Sequence, residues 1–423
     1  QLRHEGTPDW VIEAKKNAWK SFQELPMPHR KDEQWRFSTV DRNLLDGFCL
    51  GENPSESSKI NIRERSQFLQ DGAGALVFAD GELIHHQALE KNYQDCGVLF
   101  LPLREAIASH GDFLKNYLAQ EGQDLGSEKF DALHEAYVRS GTLLYVPKNV
   151  VIKEPIFTYH WLSQSNAAVF PKTLVITEDH AEVNLIELFL SEKKDRPGFA
   201  ASKSKIFAGP GSKVFRKVVQ DWNEETLSFQ NDTTFAQKDA QVKNVAVNIG
   251  GKRARYENQV QIQGAGADVK LYSLTVSDKK QEFDQRTLQV HAAPHATSDL
   301  LFKNALLDES KTIFSGLILV EEEGQQTDAY QTNRNLLLDE TAEANALPGL
   351  EIGANDVRCS HGATTSNLDE GELFYLQSRG IPSRIAKQLL VFGFFEEILG
   401  KFDNQELADK VRKLVQEKFT RHL

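Results

Sequence analysis

Between residues 141 and 360 the chain repeats one pattern: short runs rich in Val, Ile, Thr, Phe and Leu, broken by turn residues, with no helix of any length between them. The runs at 142–146, 156–160, 173–177, 183–190, 214–220, 242–248, 260–263, 269–276, 287–292, 312–320 and 335–338 each predict a strand. Gly209-Pro210-Gly211, Gly250-Gly251 and Gly264-Ala265-Gly266-Ala267 punctuate them. So many strands in one stretch make either a large sandwich or a stacked parallel coil. Tight hairpin dipeptides are scarce, and the phrases Gly-x-Lys-Val (211–214) and Gly-Ala-x-Val (266–269) recur at run entries. Both facts favour a parallel β-helix, with roughly nine or ten rungs of about two dozen residues stacked at about 4.8 Å.

The flanks follow other periods. Helical patterns at 10–22, 112–121 and 128–138 mix with short apolar runs at 75–78 and 82–84, and the Asp80-Gly81 step between those runs predicts a hairpin. Residues 51–58, rich in Gly, Pro, Ser and Glu, read as a surface loop. The reading is a mainly β protein: an N-terminal α/β domain over 1–138, a β-helix core over 139–362 and a C-terminal helical domain over 363–423. In that last domain Asn367 with Glu370 marks a helix start, Gly380 a stop, and Pro382 the opening of a second helix. The second helix carries two adjacent stripes, one of Ile385, Leu389, Phe392, Phe395 and Leu399, the other of Ala386, Leu390, Phe394 and Ile398. One stripe needs one neighbour and two need more. Either the helix is wedged between the strands and a terminal helix over 405–419, or it offers a docking surface to a partner.

Composition narrows the class. The 423 residues, 40% of them hydrophobic, suffice for a sizeable core in two or three domains. The longest strongly apolar run, 389–395, falls far short of the roughly 20 residues that cross a bilayer. No charged, apolar, small-residue signal opens the chain, and its start at Gln1 rather than Met leaves room for a transit segment ahead of it. A formal charge of −12 disfavours a nucleic-acid partner. Three cysteines cannot build a disulfide framework and point to a reducing compartment. Cys49 and Cys96 read as packing residues.

Candidate chemistry concentrates at Cys359-Ser360-His361. On an extended strand Cys359 and His361 share a face about 7 Å apart along the chain, a spacing that suits two donors to one metal. A structural zinc or iron site takes four ligands, and no second Cys-x-x-Cys or His-x-x-x-His lies nearby. Either the pair is structural or another chain completes it. The two side chains point in parallel rather than at each other, which argues against a nucleophile and its base. There is no P-loop and no Gly-x-Gly-x-x-Gly after a strand. His180, His291 and His295 lack ligand spacing. A β-helix carbohydrate enzyme would need paired carboxylates on an exposed face, and the Glu321-Glu322-Glu323 cluster reads as a solvated turn.

The run from Asp356 to Thr364 (DVRCSHGAT), followed by Leu373 to Ile381 (LFYLQSRGI), resembles the C-terminal signature of the SufB/SufD family of iron–sulfur cluster assembly proteins. Residues 326–329 and 331–338, 350–352, 141–147 and the Lys31 to Phe37 segment (KDEQWRF) resemble further family segments, so the likeness covers most of the chain. Few cysteines and the Cys-Ser-His-Gly form are similar to the SufD branch rather than the SufB branch. Phe283 before Asp284, and Asn345, depart from the common pattern.

The resemblance implies a right-handed parallel β-helix between helical domains, and a non-catalytic scaffold that pairs with SufB through the core. It implies docking of the SufC ATPase on the C-terminal helices, to which Tyr375, Arg379, Ile385, Leu389, Phe392 and Phe394 are assigned, and a possible homodimer when alone. Cys359 and His361 match positions facing SufB, where a transient iron–sulfur cluster would be shared and none held tightly by the isolated chain. A thiolate of lowered pKa would suit iron there. Location would be the bacterial cytoplasm, or the stroma if plastid. The alternative is a partner-binding module without cluster contact.

Overall fold

The computed structural model describes residues 7–41, 43–67 and 72–422. Two parallel sheets face each other along most of the chain. In one, the core strands run Ser140–Val146, Pro171–Thr177, Gly198–Ala208, Thr226–Ala236, Arg253–Ile262, Glu282–His291, Lys311–Val320 and Glu343–Ile352. In the other they run Ile156–Leu162, Glu182–Ser191, Lys213–Asp221, Gln241–Asn248, Asp268–Ser277, Thr297–Leu306, Asp328–Leu337 and Arg358–Asn367. The chain alternates between the sheets, so the core is a parallel β-solenoid of eight two-strand turns. The expectation of nine or ten shorter rungs is corrected. Successive strands of the first sheet begin at 226, 253, 282 and 311, so a turn takes close to 29 residues. The count erred because strands such as Thr226–Ala236 are buried on both faces yet mostly polar, which hides them from a search for apolar runs.

A ladder of side chains explains why the coil closes at this length. Val183, Val214, Val242 and Val269 stand in register on neighbouring strands, followed by Ser298, Ala329 and finally Cys359. Three residues before each of the first six ladder positions sits a residue with left-handed backbone: His180, Gly211, Asp239, Gly266, His295 and Gln326. The left-handed residue turns the chain, a small residue follows, and the ladder residue goes inside. His180 and His295 are therefore turn residues.

The N-terminal end of the solenoid is covered. The hairpin Gly74–Ala79 with Glu82–Gln87 extends one sheet, and Leu99–Pro102 extends the other antiparallel to Ser140–Val146. Asp80 and Gly81 both have positive φ, as the Asp-Gly hairpin requires. The predicted N-terminal helices lie at Asp9–Glu24, Leu103–Ala119 and Glu128–Tyr137, the second starting nine residues earlier than its pattern suggested. Trp35, in the Lys31 to Phe37 segment, anchors this region: its indole N–H donates to the Gly126 carbonyl at 2.7 Å and the Arg255 guanidinium lies 4.0 Å from its ring centre. Cys49 and Cys96 are exposed, not packing residues, because one edges a two-residue strand and the other ends a short helix.

His160 is buried in the first turn, its ring stacked between Phe78 and Phe189 at 5.2 Å from each. Its Nε2 has no hydrogen-bond partner, and burial lowers its pKa to about 3. Burial likewise lowers His291 to about 4. Both folded values lie below the unfolded one, so the unfolded chain takes up protons first as pH falls. Their contribution is intact above about pH 6.5 and is lost as pH falls, down to about 4 for His291 and about 3 for His160, at a cost on the order of a few kcal/mol each. His160→Phe, which keeps the stack, should leave the melting temperature at pH 7 within a few degrees of native and reduce the loss between pH 7 and 5. Equal acid sensitivity of variant and native protein in thermal melts would contradict this.

Three helices, Glu370–Ser378, Ser383–Leu399 and Gln405–His422, end the chain. The first is capped by Asp369, which accepts from the Glu372 N–H, rather than by Asn367, which is the last residue of the final strand. The other two pack on the outer face of the second sheet, where Val391, Phe395, Ile398, Val411, Val415 and Phe419 meet Tyr272, Leu274 and Leu301. Lys303 fixes the contact by donating to the Phe394 carbonyl at 2.8 Å and pairing with Glu397 at 2.6 Å.

Candidate functional site

The other end of the solenoid is open. Among the described residues Glu343–Ile352 pairs only with Lys311–Val320, and Arg358–Asn367 only with Asp328–Leu337, so both sheets stop at the same turn. Each final strand presents ten residues of unpaired backbone edge. Long uncovered edges of this kind are templates for pairing with another chain. The inward face of the last turn is uncovered as well: Leu350 and Ile352 continue the columns of buried Ile318 and Val320 but are 37% and 40% exposed.

Cys359 and His361 lie on this last turn. Their register partners Ala329 and Gln331 are buried in the solenoid interior, and parallel register puts paired side chains on the same face. Both therefore face the mouth of the interior. Cys359 is half-buried with Val357 against Ile318, Val320, Ala329 and Ala354, while His361 is exposed. Burial raises the Cys359 thiol above its ordinary value, the nearby Asp328 carboxylate adds to the rise, and a backbone hydrogen bond from Ala329 opposes it. The expectation of a lowered thiol pKa is thus reversed in the lone chain. Among the described residues no group of three or more His, Cys, Asp and Glu side chains could hold a metal ion.

The second constellation is apart from the first. Tyr375, Ile385 and Leu389 are exposed, and so is Phe374, which sequence reasoning passed over; the four are 56%, 42%, 48% and 72% exposed. Phe374 lies in the Leu-Phe-Tyr-Leu step of a helix with no buried residue, which was the available signal. The Arg379 guanidinium stands 5.2 Å from the Tyr375 ring centre. Phe392 and Phe394 are half-buried against the cluster that holds the helices to the sheet, so they stand with the packing rather than with the exposed face. Phe283 is buried, and Asn345 donates to Glu343 at 2.7 Å on the final strand.

Residues 160–394 match the family model described as "SUF system FeS cluster assembly, SufBD core domain", and residues 1–157 match "SufBD protein N-terminal region". The solenoid and its open turn are thus those of an iron–sulfur cluster assembly protein. The chain belongs to the SufB/SufD family. It is similar, at 28% identity over 97% of this chain and 92% of the relative, to an iron–sulfur cluster assembly SufBD family protein of Synechocystis. Similarity to the iron–sulfur cluster assembly protein SufD of Bacillus subtilis is 24%, over 97% and 94% of the two chains. A SufBD family protein of Staphylococcus haemolyticus is 25% identical over 96% and 89%. No helix among the described residues is long and apolar enough to cross a membrane.

Proposed function

We propose that this chain is the SufD-type scaffold subunit of an iron–sulfur assembly complex, itself without catalytic activity, working in the cytoplasm or stroma. The open last turn carries the reading. Two ten-residue edges and an uncovered apolar interior call for a second chain there, and SufB is the partner that the family resemblance implies. Cys359 and His361 then face the joint, each able to give one ligand to the nascent cluster, which is cargo and not a resident cofactor. SufB supplies the others. Iron entering the joint displaces the thiol proton, so the raised pKa of the lone chain is overcome only in the complex. The exposed Phe374, Tyr375, Ile385 and Leu389 face takes the SufC ATPase, whose closure on ATP would move the helices and open the joint.

Cys359 also ends a packing ladder, which favours a second reading in which the turn binds SufB and contributes no ligand. Reconstitution with SufB and SufC separates the two. Cys359→Ala and His361→Ala should each leave complex assembly intact on size exclusion and lower cluster formation, read as bound iron and sulfide, by about tenfold or more. Undiminished cluster formation in both variants would leave only the second reading.

A further inference from the structure

Gln331, one turn inward from His361, and Thr287, two turns inward, bring two buried oxygens together without partners. Gln331 is buried in register beneath His361, and its carboxamide nitrogen donates to the Gly316 carbonyl at 3.2 Å, leaving Oε1 as a free acceptor. Thr287, buried on the facing sheet and in register with Gly316, has its Oγ1 unpaired. Both oxygens lack any hydrogen-bond partner. They lie 2.4 and 2.6 Å from where a Cβ on Gly316 would stand, so only glycine lets side chains from opposite sheets meet there. Buried polar oxygens are rarely left unsatisfied, and a site with two to four polar partners holds water.

We propose that Gln331 and Thr287, meeting over Gly316, hold one water molecule behind His361, and that Gln331 is through it a positioning residue for the imidazole. The water donates to Gln331 Oε1, exchanges a hydrogen bond with Thr287 Oγ1, and accepts from the inward ring N–H of His361. That bond fixes one neutral tautomer and leaves the outward ring nitrogen with its lone pair toward the joint. Metal-binding histidines are commonly oriented in this way by a partner on the other nitrogen. The inference rests on His361 as a cluster ligand for its purpose, but not for its test.

The test uses the full chain alone, labelled with 15N-histidine at alkaline pH, with His361→Gln to assign the signal. Native protein should show one His361 tautomer in about tenfold excess, and Gln331→Met and Thr287→Val should each bring the two forms within about threefold. Circular dichroism and melting identify a variant that fails to fold, and the other then decides. An even tautomer mixture in the native chain, or an unchanged ratio in a folded variant, overturns the proposal. If the ratio moves as expected while His361→Ala leaves cluster formation intact, the ligand reading fails and the water site stands.

Discussion

Arg216→Met should destabilise the solenoid by about 3–5 kcal/mol, read as a lower denaturant midpoint. Arg216 is 1% exposed and lies inside the coil, where its guanidinium pairs with Glu187 and, at 2.6 and 3.2 Å, with both oxygens of Asp232. The two carboxylates come from opposite sheets, so the arginine ties the turn across its interior. Thr173 donates to Glu187 at 2.6 Å and Gln230 to Asp232 at 2.9 Å, so every charged oxygen has a donor. Both carboxylates hold the Arg216 charge more firmly than burial weakens it, raising its pKa further. Removing the cation leaves two negative charges facing each other out of water, and that penalty, rather than the lost pair itself, sets the size of the effect. A triple variant, Arg216→Met with Glu187→Leu and Asp232→Leu, should regain much of the loss. A single variant as stable as native would mean that the charges reach solvent.

Phe395→Ala should cost a similar amount, about 3–5 kcal/mol, but act on another part of the molecule. Its side chain has no exposure and sits where the last two helices meet the second sheet. The backbone ladder of the solenoid does not pass through these helices, so hydrogen exchange should accelerate across 383–422 while solenoid amides keep their protection. Leu389→Ala, on the exposed face of the same helix, should change stability by no more than about 0.5 kcal/mol yet weaken SufC binding. Uniform loss of protection along the whole chain in Phe395→Ala would show that helices and coil unfold as one unit. Unchanged SufC binding in Leu389→Ala would remove that face from the docking assignment.

Much of the architecture is written in local pattern. Parallel coil, hairpin at Asp80-Gly81 and terminal helices follow from periods and turn residues that act over a few positions. A stronger repeat went unread: a left-handed residue three positions before each inward Val, Ser or Ala, at 180, 211, 239, 266, 295 and 326. It escaped because Gly, His, Asp and Gln all fill the left-handed place, so the shared feature is a backbone angle and not a residue type. Polar strands such as Thr226–Ala236 escaped for a related reason, since their buried side chains are paired inside the coil or under the helix Glu128–Tyr137.

The sequence by itself determined that Cys359 and His361 share a strand face, because side chains alternate along any strand. It also carried the family likeness and the surplus of apolar residues in the last helices. Only the tertiary structure decided what that face meets. Cys359 takes the place that Val183, Val214, Val242 and Val269 hold in earlier turns, and it is reachable because among the described residues no further turn stacks on it. Which helix residues are buried, and that the thiol pKa rises rather than falls, were settled in the same way. Exposure and desolvation depend on what packs above a residue from elsewhere in the chain, and no local pattern carries that.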